Sequence, residues 1–435
     1  MKIYIGPLEI AGFYSNLSNG LNKNNLKCDF IPISPHPFRY GIDSKLPIII
    51  SIAHKLHNKR TSLNFRSYFN IITIISRMIA LLWTTFAIFK YDIFIFGYGR
   101  SFWPLNIDLI LIKLLRKKVI MILSHGSEAR PPYIDGSVRK GYSRKPKDIR
   151  LLKRLTKRMY RKVRFVEKYS THIIGSPFSS FYFLTKPYIN AFDLGLAVLP
   201  ISKNLEQHSD VDGFPVQNKL GVRILHAPSN TNAKGTKEIV GIIDRLKLEG
   251  YEIDFRIVTN QPHNTVLNEI SKCDFVVDQM YADTPIAGFS GEAASLGKVS
   301  IVGGYIFEII SEYIEPENRP PVINCHPDEM YDSIKLLIEN AQLRNDLGKK
   351  CKAYVASRGS NIAVAERYLK VIFDDIPKEW YLDPYEQSYV QGGFQDAEKT
   401  KADLSLLVKQ YGLDALQIND KPNLKMKFKE FCKNR

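Results

Sequence analysis

Phe275-Val276-Val277-Asp278-Gln279, followed after a short linker by Ala287-Gly288-Phe289-Ser290-Gly291-Glu292-Ala293-Ala294-Ser295-Leu296-Gly297, decides the reading of this chain. The first run is apolar enough for a strand buried on both faces, and the second turns through glycines into a short helix that carries a carboxylate. Such a junction builds a seat for a nucleotide diphosphate. Glycines let backbone N–H groups approach phosphate oxygens, and the positive end of a helix beginning near Ser290 favours negative charge. Glu292, in the first turn of that helix, is placed to accept bonds from a ribose diol. The same letters also fit an ordinary strand, turn and helix, since Glu is favoured in any first turn and Gly in any tight turn.

Outward from this junction, apolar runs alternate with helical periodicity. Ile3 to Gly6, Cys28 to Ile33, Asp92 to Phe96, Lys118 to Leu123 and Thr171 to Ile174 form one series of buried parallel strands. Val222 to Ala227, Ile253 to Val258, Phe275 to Gln279, Val299 to Val302 and Val322 to Asn324 form a second. The expectation is an α/β protein of two doubly wound Rossmann-like domains facing a cleft, residues 1–204 and 205–375, with a C-terminal helical tail over 376–435. The boundary lies in the polar, aperiodic stretch Ser202 to Lys219, which holds Gly213 and Pro215. Pro327 to Ala356 and Ile362 to Phe373 read as closing helices. The tail from Pro377 is Tyr-rich, then charged, and either packs back on the first domain or frays.

At 435 residues the chain exceeds one ordinary core, and 45% hydrophobic with 24% charged residues is a globular balance. Five scattered cysteines, Cys28, Cys273, Cys325, Cys351 and Cys432, form no disulfide framework and no metal cluster, which suits a reducing compartment. Met1 to Gly6 reads as a strand, with no secretory leader visible, so the expected location is cytoplasmic. Met78 to Phe89 is shorter than the roughly 20 residues needed to cross a bilayer and reads as a core or interfacial helix.

The net charge of +17 is concentrated between Arg139 and Lys168, where 14 Lys/Arg face only Asp148 and Glu167. From Arg150 onward, Leu151, Leu155, Met159 and Val163 recur at helical spacing, while Arg150, Arg154, Lys157, Arg158, Arg161 and Lys162 crowd the other faces. An anionic membrane surface is the expected partner of this basic helix, ahead of nucleic acid or a plain solvated face.

Gly221 to Asn230 runs from a strand into a polar loop, and Ala233-Lys234-Gly235-Thr236 opens the next helix, with Thr236 as N-cap and Gly250 ending it. Lys234 stands out, because a cation beside the positive end of a helix is unfavourable by about 0.3–1 kcal/mol unless an anion lies between. Lys234 and the free N–H groups together imply a bound phosphate, with a solvated loop lysine as the alternative. Since ligands of open α/β sheets bind at the carboxyl ends of strands, Lys234 and Gly288 to Glu292 can face one ligand. Across the cleft stand Gly6-Pro7 with Gly12, Gly97 to Ser101, and Ser124 to Arg130. His125 is positioned there to donate to a sugar hydroxyl or to act as an acid or base, or to be structural. His226 is similarly placed, whereas His172 reads as a core residue. Arg100, Glu128 and Arg130 either bind acceptor or stabilise their loop. Asp210-Val211-Asp212 has the letters of an acidic metal triplet but lacks a preceding strand, so no metal is assigned. GxxxxGK[ST] and GxSxG motifs are both missing, which excludes P-loop and α/β-hydrolase readings.

The order HAPSN…KGT, CDFVVDQ, GFSGEAASLGK resembles the second domain of GT-B glycosyltransferases of the large retaining group called family 4 or group 1. YDIFIFGYGRSF and KKVIMILSHGSEARP are similar to the first domain of bacterial members that build surface polysaccharides, and Leu343 to Phe373 looks like the closing helices. The resemblance covers roughly residues 1–375. It implies a UDP- or GDP-type sugar donor on the second domain, a glycan or lipid-linked acceptor on the first, and cleft closure. By position, Glu292 would hold the ribose, and Gly288, Phe289 and Ser290 with Asn230 would surround the donor. Lys234 would neutralise the leaving phosphate, Gly12 would lie beneath the diphosphate, and His125 would touch the transferred sugar. Two departures stand out: Thr284 occupies the place of a second carboxylate, and Ser229 to Asn232 lack an Arg common before the KG lysine.

The sequence therefore points to a retaining, metal-independent glycosyltransferase, peripheral at the inner face of the membrane, needing no cofactor. A GT-B-shaped sugar-nucleotide epimerase and a non-catalytic nucleotide-binding scaffold are the alternatives.

Overall fold

The computed structural model describes residues 1–34, 36, 46–60, 66–138, 146–198 and 221–433. Strands β1 (Ile3–Gly6), β2 (Cys28–Phe30), β3 (Ile93–Gly97), β4 (Lys118–Leu123), β5 (His172–Gly175) and β6 (Tyr188–Asn190) pair in parallel in the order β2-β1-β3-β4-β5-β6. Between them run α1 (Phe13–Lys23), α2 (Ile48–Arg60), α3 (Arg66–Lys90), α4 (Asp108–Leu114) and α5 (Pro146–Tyr169), and α6 (Ala191–Leu194) follows β6. Successive side chains of a strand point to opposite faces, and here both faces are covered. Tyr4, Phe94, Phe96, Val119 and Met121 pack against Trp83, Ile88, Leu109, Ile112 and Val163 of α3, α4 and α5. Ile3, Ile5, Ile93, Ile95, Ile120 and Ile122 pack on the other face against Leu17 and Leu21 of α1.

A second sheet contains β7 (Val222–His226), β8 (Ile253–Ile257), β9 (Phe275–Gln279), β10 (Ser300–Gly303) and β11 (Ile323–Cys325), in the order β8-β7-β9-β10-β11. Its helices are α7 (Thr236–Leu248), α8 (His263–Lys272), α9 (Gly288–Ser295), α10 (Met330–Glu339) and α11 (Ala341–Tyr354). Two doubly wound parallel sheets are thus present. The next helix, α12 (Asn361–Ile372), returns to the first sheet and lies on α1 so closely that a Cβ at Gly20 would overlap the Asn361 carbonyl.

The tail does not fray. β12 (Tyr381–Leu382) adds antiparallel to β6, and α13 (Ala397–Tyr411) and α14 (Pro422–Lys433) cover the first body, burying Leu404, Leu407, Leu424 and Phe428. The boundary at residue 204, the stretch Ser202 to Lys219, Asp210-Val211-Asp212 and residues 139–145 of the basic block lie outside the described residues.

Two helix faces refine the periodicity reading. In α5 Val163 is buried and Met159 packs against the core as the spacing predicts, but Leu151 is exposed, and Ile149, Leu152, Thr156 and Val166 complete the buried stripe. In α3 one side buries Ala80, Trp83, Ala87 and Ile88, and the other exposes Ile75, Met78, Leu82, Phe86 and Phe89. Among the described residues, no helix is long and apolar enough to cross a membrane.

Candidate functional site

In the first sheet the chain runs outward from β1 to β2 and then crosses back to β3; in the second it runs from β7 to β8 and crosses back to β9. The crevice outside the carboxyl ends of such strand pairs is where open α/β sheets take ligands. Here the two crevices face each other around a cavity of about 570 Å³, within the range of small-molecule sites. The loop after β1 supplies Glu9, Ala11 and Phe13, and the loop after β4 supplies Ser124, His125 and Ser127. Ser229, Asn230 and Lys234 come from the loop after β7, and Asp283, Thr284, Gly288, Phe289 and Glu292 from beyond β9. A Cβ at Gly288 would stand 2.9 Å from the Ala11 Cβ, so glycine lets the start of α9 meet the opposite turn.

On the second sheet, α9 starts at Gly288 rather than near Ser290, and its N-cap Ala287 offers no side-chain bond to the helix. Glu292 consequently stands in the second turn, not the first. It remains on the cavity wall, with Oε1 2.8 Å from His263 Nε2 at the start of α8. Ser290 is fully buried and gives its hydroxyl to Asp278 Oδ2 at 2.7 Å, so its side chain faces away from the cavity. Lys234 Nζ donates to Asp278 Oδ1 at 2.8 Å. The anion beside Lys234 is therefore a side chain at the end of β9, and the lysine by itself gives no sign of a bound phosphate. The loop before it is shaped by Asn230, whose Oδ1 accepts the N–H groups of Asn232 and Ala233.

Thr236 is not an N-cap. Gly235 takes that position in the left-handed region at φ 68°, and the Thr236 hydroxyl bonds His226 Nε2 at 2.8 Å. His226 Nδ1 lies 2.8 Å from the Val277 carbonyl, which can only accept, so Nδ1 carries the proton and Nε2 accepts from Thr236. Burial pushes the ring down to about 4, and His226 is a neutral structural link between β7, β9 and α7. His172, expected in the core, is instead partly exposed and paired with Asp374 at 2.7 Å.

On the first sheet, His125 reaches the cavity between the rings of Phe13 and Tyr14. Its N–H is held by Glu128 Oε1 at 2.7 Å, and its Nδ1 lies 3.4 Å from the same oxygen. Burial would raise Glu128, but the hydrogen bonds and charge of His125 hold it below the usual carboxylate range. Glu128 is 1% exposed and Arg130 is fully buried, so neither presents its side chain to an acceptor in this conformation. Arg130 instead joins Asp135 and, across the cleft, Asp283. Arg100 is exposed beside the Tyr98 ring and is not part of the cavity wall. Gly12 is the N-cap of α1 at φ 77°, while its neighbours Ala11 and Phe13 form the wall. The start of α1 already holds an internal anion: Glu9 accepts the N–H groups of Ile10, Tyr14 and Ser15, and burial raises its pKa against those bonds.

Asp278, His263, Glu9 and Asp283 thus join the site without having been singled out as functional. Asp278 was legible as a carboxylate ending an otherwise apolar strand; the others became visible only through their partners. Among the described residues, no group of three or more His, Cys, Asp or Glu is placed to hold a metal.

No protein-family model matches the chain, and no curated protein sequence matches it. Similar backbones occur among solved structures. Anabaena HepE in complex with UDP and glucose is 13% identical over 86% of this chain and 100% of its own, with a TM-score of 0.46. An alpha-glucosyltransferase in complex with UDP and DNA is 10% identical over 86% and 100%, with a TM-score of 0.47. The UDP-GlcNAc 2-epimerase of Methanocaldococcus jannaschii is 10% identical over 86% and 99%, with a TM-score of 0.39. At these identities the likenesses assign no residue a role.

Proposed function

We propose that the chain is a GT-B glycosyltransferase that moves a sugar, with retention, from a UDP- or GDP-type donor to a glycan or lipid-linked glycan in cell-surface polysaccharide synthesis. One observation carries this reading: a single cavity joins the switch points of both sheets, with the start of α9, Lys234 and Glu292 on one wall and His125 on the other. As the bond from the anomeric carbon to the phosphate oxygen lengthens, positive charge grows on the sugar and negative charge on the diphosphate. The α9 N–H groups and the Lys234 ammonium stabilise the latter without calling on a metal. Asp278 orients that ammonium, whose other protons remain able to donate. Glu292, held by His263, anchors the ribose. His125 contacts the transferred sugar, and the acceptor hydroxyl attacks from the first-sheet side.

The test is turnover of UDP- and GDP-sugars by purified protein with lipid-linked and free glycan acceptors. Full activity in the double variant Lys234→Ala, Glu292→Ala would sink the reading. The two histidine–carboxylate pairs flanking the cavity, His125–Glu128 and His263–Glu292, favour an epimerase as second reading. A changed sugar nucleotide formed without acceptor would establish it, and failure to bind any nucleoside diphosphate would favour a non-catalytic scaffold.

We also place the protein at the cytoplasmic face of an anionic membrane. α3, α4 and α5 form one layer on the first sheet. Its outer side carries exposed Met78, Leu82, Phe86, Ile107 and Leu114, followed on α5 by exposed Arg150, Arg154, Lys157, Arg158 and Arg161. Apolar groups beside a basic row suit the boundary between acyl chains and anionic headgroups.

A further inference from the structure

Among the described residues, the tail beyond residue 376 contributes to the cavity wall. Phe394, from the tail, lines the same cavity as His125, Ser127 and Asp283. It is held from both bodies. Its N–H donates to the Tyr281 carbonyl beyond β9 at 2.9 Å, while the neighbouring Gly393 carbonyl accepts from Gly136 N–H at 3.0 Å in the first body. A Cβ at Gly136 would overlap the Phe394 carbonyl, so the tail is seated tightly there. The Arg130 guanidinium, fully buried and paired with Asp283, lies 4.8 Å from the Phe394 ring centroid. One side of the ring is thereby covered, and the half-buried remainder opens on the cavity.

A cation behind the ring discourages a second cation in front of it, so the open side is suited to a neutral, flat, apolar surface. The same cavity is lined by Ser124, Ser127, whose hydroxyl meets Tyr98, Ser137, whose hydroxyl donates to Asp135, and Asp283, which holds Arg130. A flat apolar platform rimmed by hydrogen-bonding groups is the complement of a pyranose, which has a C–H face and a hydroxyl edge. Ser124, Ser127 and Ser137 come from the first body and Asp283 from beyond β9, so the platform sits where the two walls meet, while His263 and Glu292 belong to the second-sheet wall.

We infer that Phe394 is a specificity-determining residue of the acceptor end, on which a neutral pyranose ring of the acceptor stacks. The inference rests on the reading of the cavity as a sugar-transfer site, and it assigns to the tail a part of the substrate wall.

The experiment uses the full chain and four probes, the methyl pyranosides of glucose, galactose, mannose and N-acetylglucosamine, titrated by saturation-transfer NMR. UDP and GDP are titrated separately by calorimetry. At least one pyranoside binds the wild type, binds about tenfold more weakly to Phe394→Ala and to Phe394→Leu, and binds Phe394→Trp nearly as well as wild type. Phe394→Leu keeps the apolar bulk and loses the flat face together with its contact to Arg130, and the nucleotide titration guards against a variant that merely unfolds. Nucleotide affinity stays within twofold in all three. Unchanged pyranoside binding in Phe394→Leu, or no binding by any of the four probes, overturns the platform. Equal loss of nucleotide and pyranoside affinity also overturns it, by reducing Phe394 to a structural clip. Absence of nucleotide binding with the pyranoside pattern intact would instead sink the donor reading and leave the platform standing.

Discussion

Lys234 and Asp278 are joined Nζ to Oδ1 at 2.8 Å, and the other oxygen of the same carboxylate takes the Ser290 hydroxyl at 2.7 Å. One buried aspartate thus ties the loop after β7 to the start of α9, the two segments proposed to hold the donor. Asp278→Ala removes both bonds and leaves a mostly buried ammonium unpaired, at a cost of about 2–3 kcal/mol in urea unfolding. Lys234→Met in the same background recovers much of that loss of stability. A single-variant loss under about 0.5 kcal/mol would show the pair to be incidental.

Arg130 links the two bodies through Asp283, with Asp135 behind it, and all three are nearly inaccessible. Arg130→Ala strands two carboxylates in the interior, and the expected destabilisation is about 3–5 kcal/mol. Adding Asp283→Leu returns part of it, because a buried charge is then removed along with its partner. A double variant as unstable as the sum of both singles would contradict this coupling.

Glu292 and His263 make the clearest pair for nucleotide affinity. Calorimetry with UDP and GDP should show Glu292→Ala about tenfold to a hundredfold weaker for the preferred nucleotide. His263→Ala, which releases the carboxylate from one of its bonds, should be weaker by less than tenfold. Unaltered affinity in Glu292→Ala would remove the ribose role.

His226 gives a pH signature. Its folded pKa of about 4 lies below the unfolded value near 6.5, so the unfolded chain takes the proton first. The stability it contributes is complete above about pH 6.5 and is lost as pH falls toward 4, to a limit on the order of 3 kcal/mol. Urea unfolding at pH 7.5, 6 and 5 should fall more steeply for the wild type than for His226→Gln. Parallel pH curves would refute the linkage.

Vesicle sedimentation tests the membrane face. Binding should require anionic lipid, weaken with salt, and drop at least tenfold both in Leu82→Ser, Phe86→Ser and in Arg154→Glu, Lys157→Glu. Equal affinity for neutral vesicles would exclude the electrostatic part of the proposal.

The longer parallel strands were legible because a strand buried on both faces must be apolar throughout; β4 and β9 match the sequence reading residue for residue. β6 and β12 were not read as strands; β12 forms an edge pair only because the tail returns. Leu151 misled for a related reason. In α5 several helical frames hold enough apolar residues, and the packing partner chooses among them.

The sequence by itself determined that this chain makes parallel α/β sheets, and that glycine-rich turns at Gly288 and Gly235 meet the ends of β9 and β7. Those features follow from local periodicity and backbone sterics. Tertiary structure alone decided that Asp278 answers Lys234, that Glu292 meets His263, that Arg130 reaches Asp283 and that Phe394 lines the cavity. The physical reason is that burying a charge depends on where its counter-charge lies. That counter-charge comes from another element, at 44 residues' separation for Lys234 and Asp278 and 153 for Arg130 and Asp283.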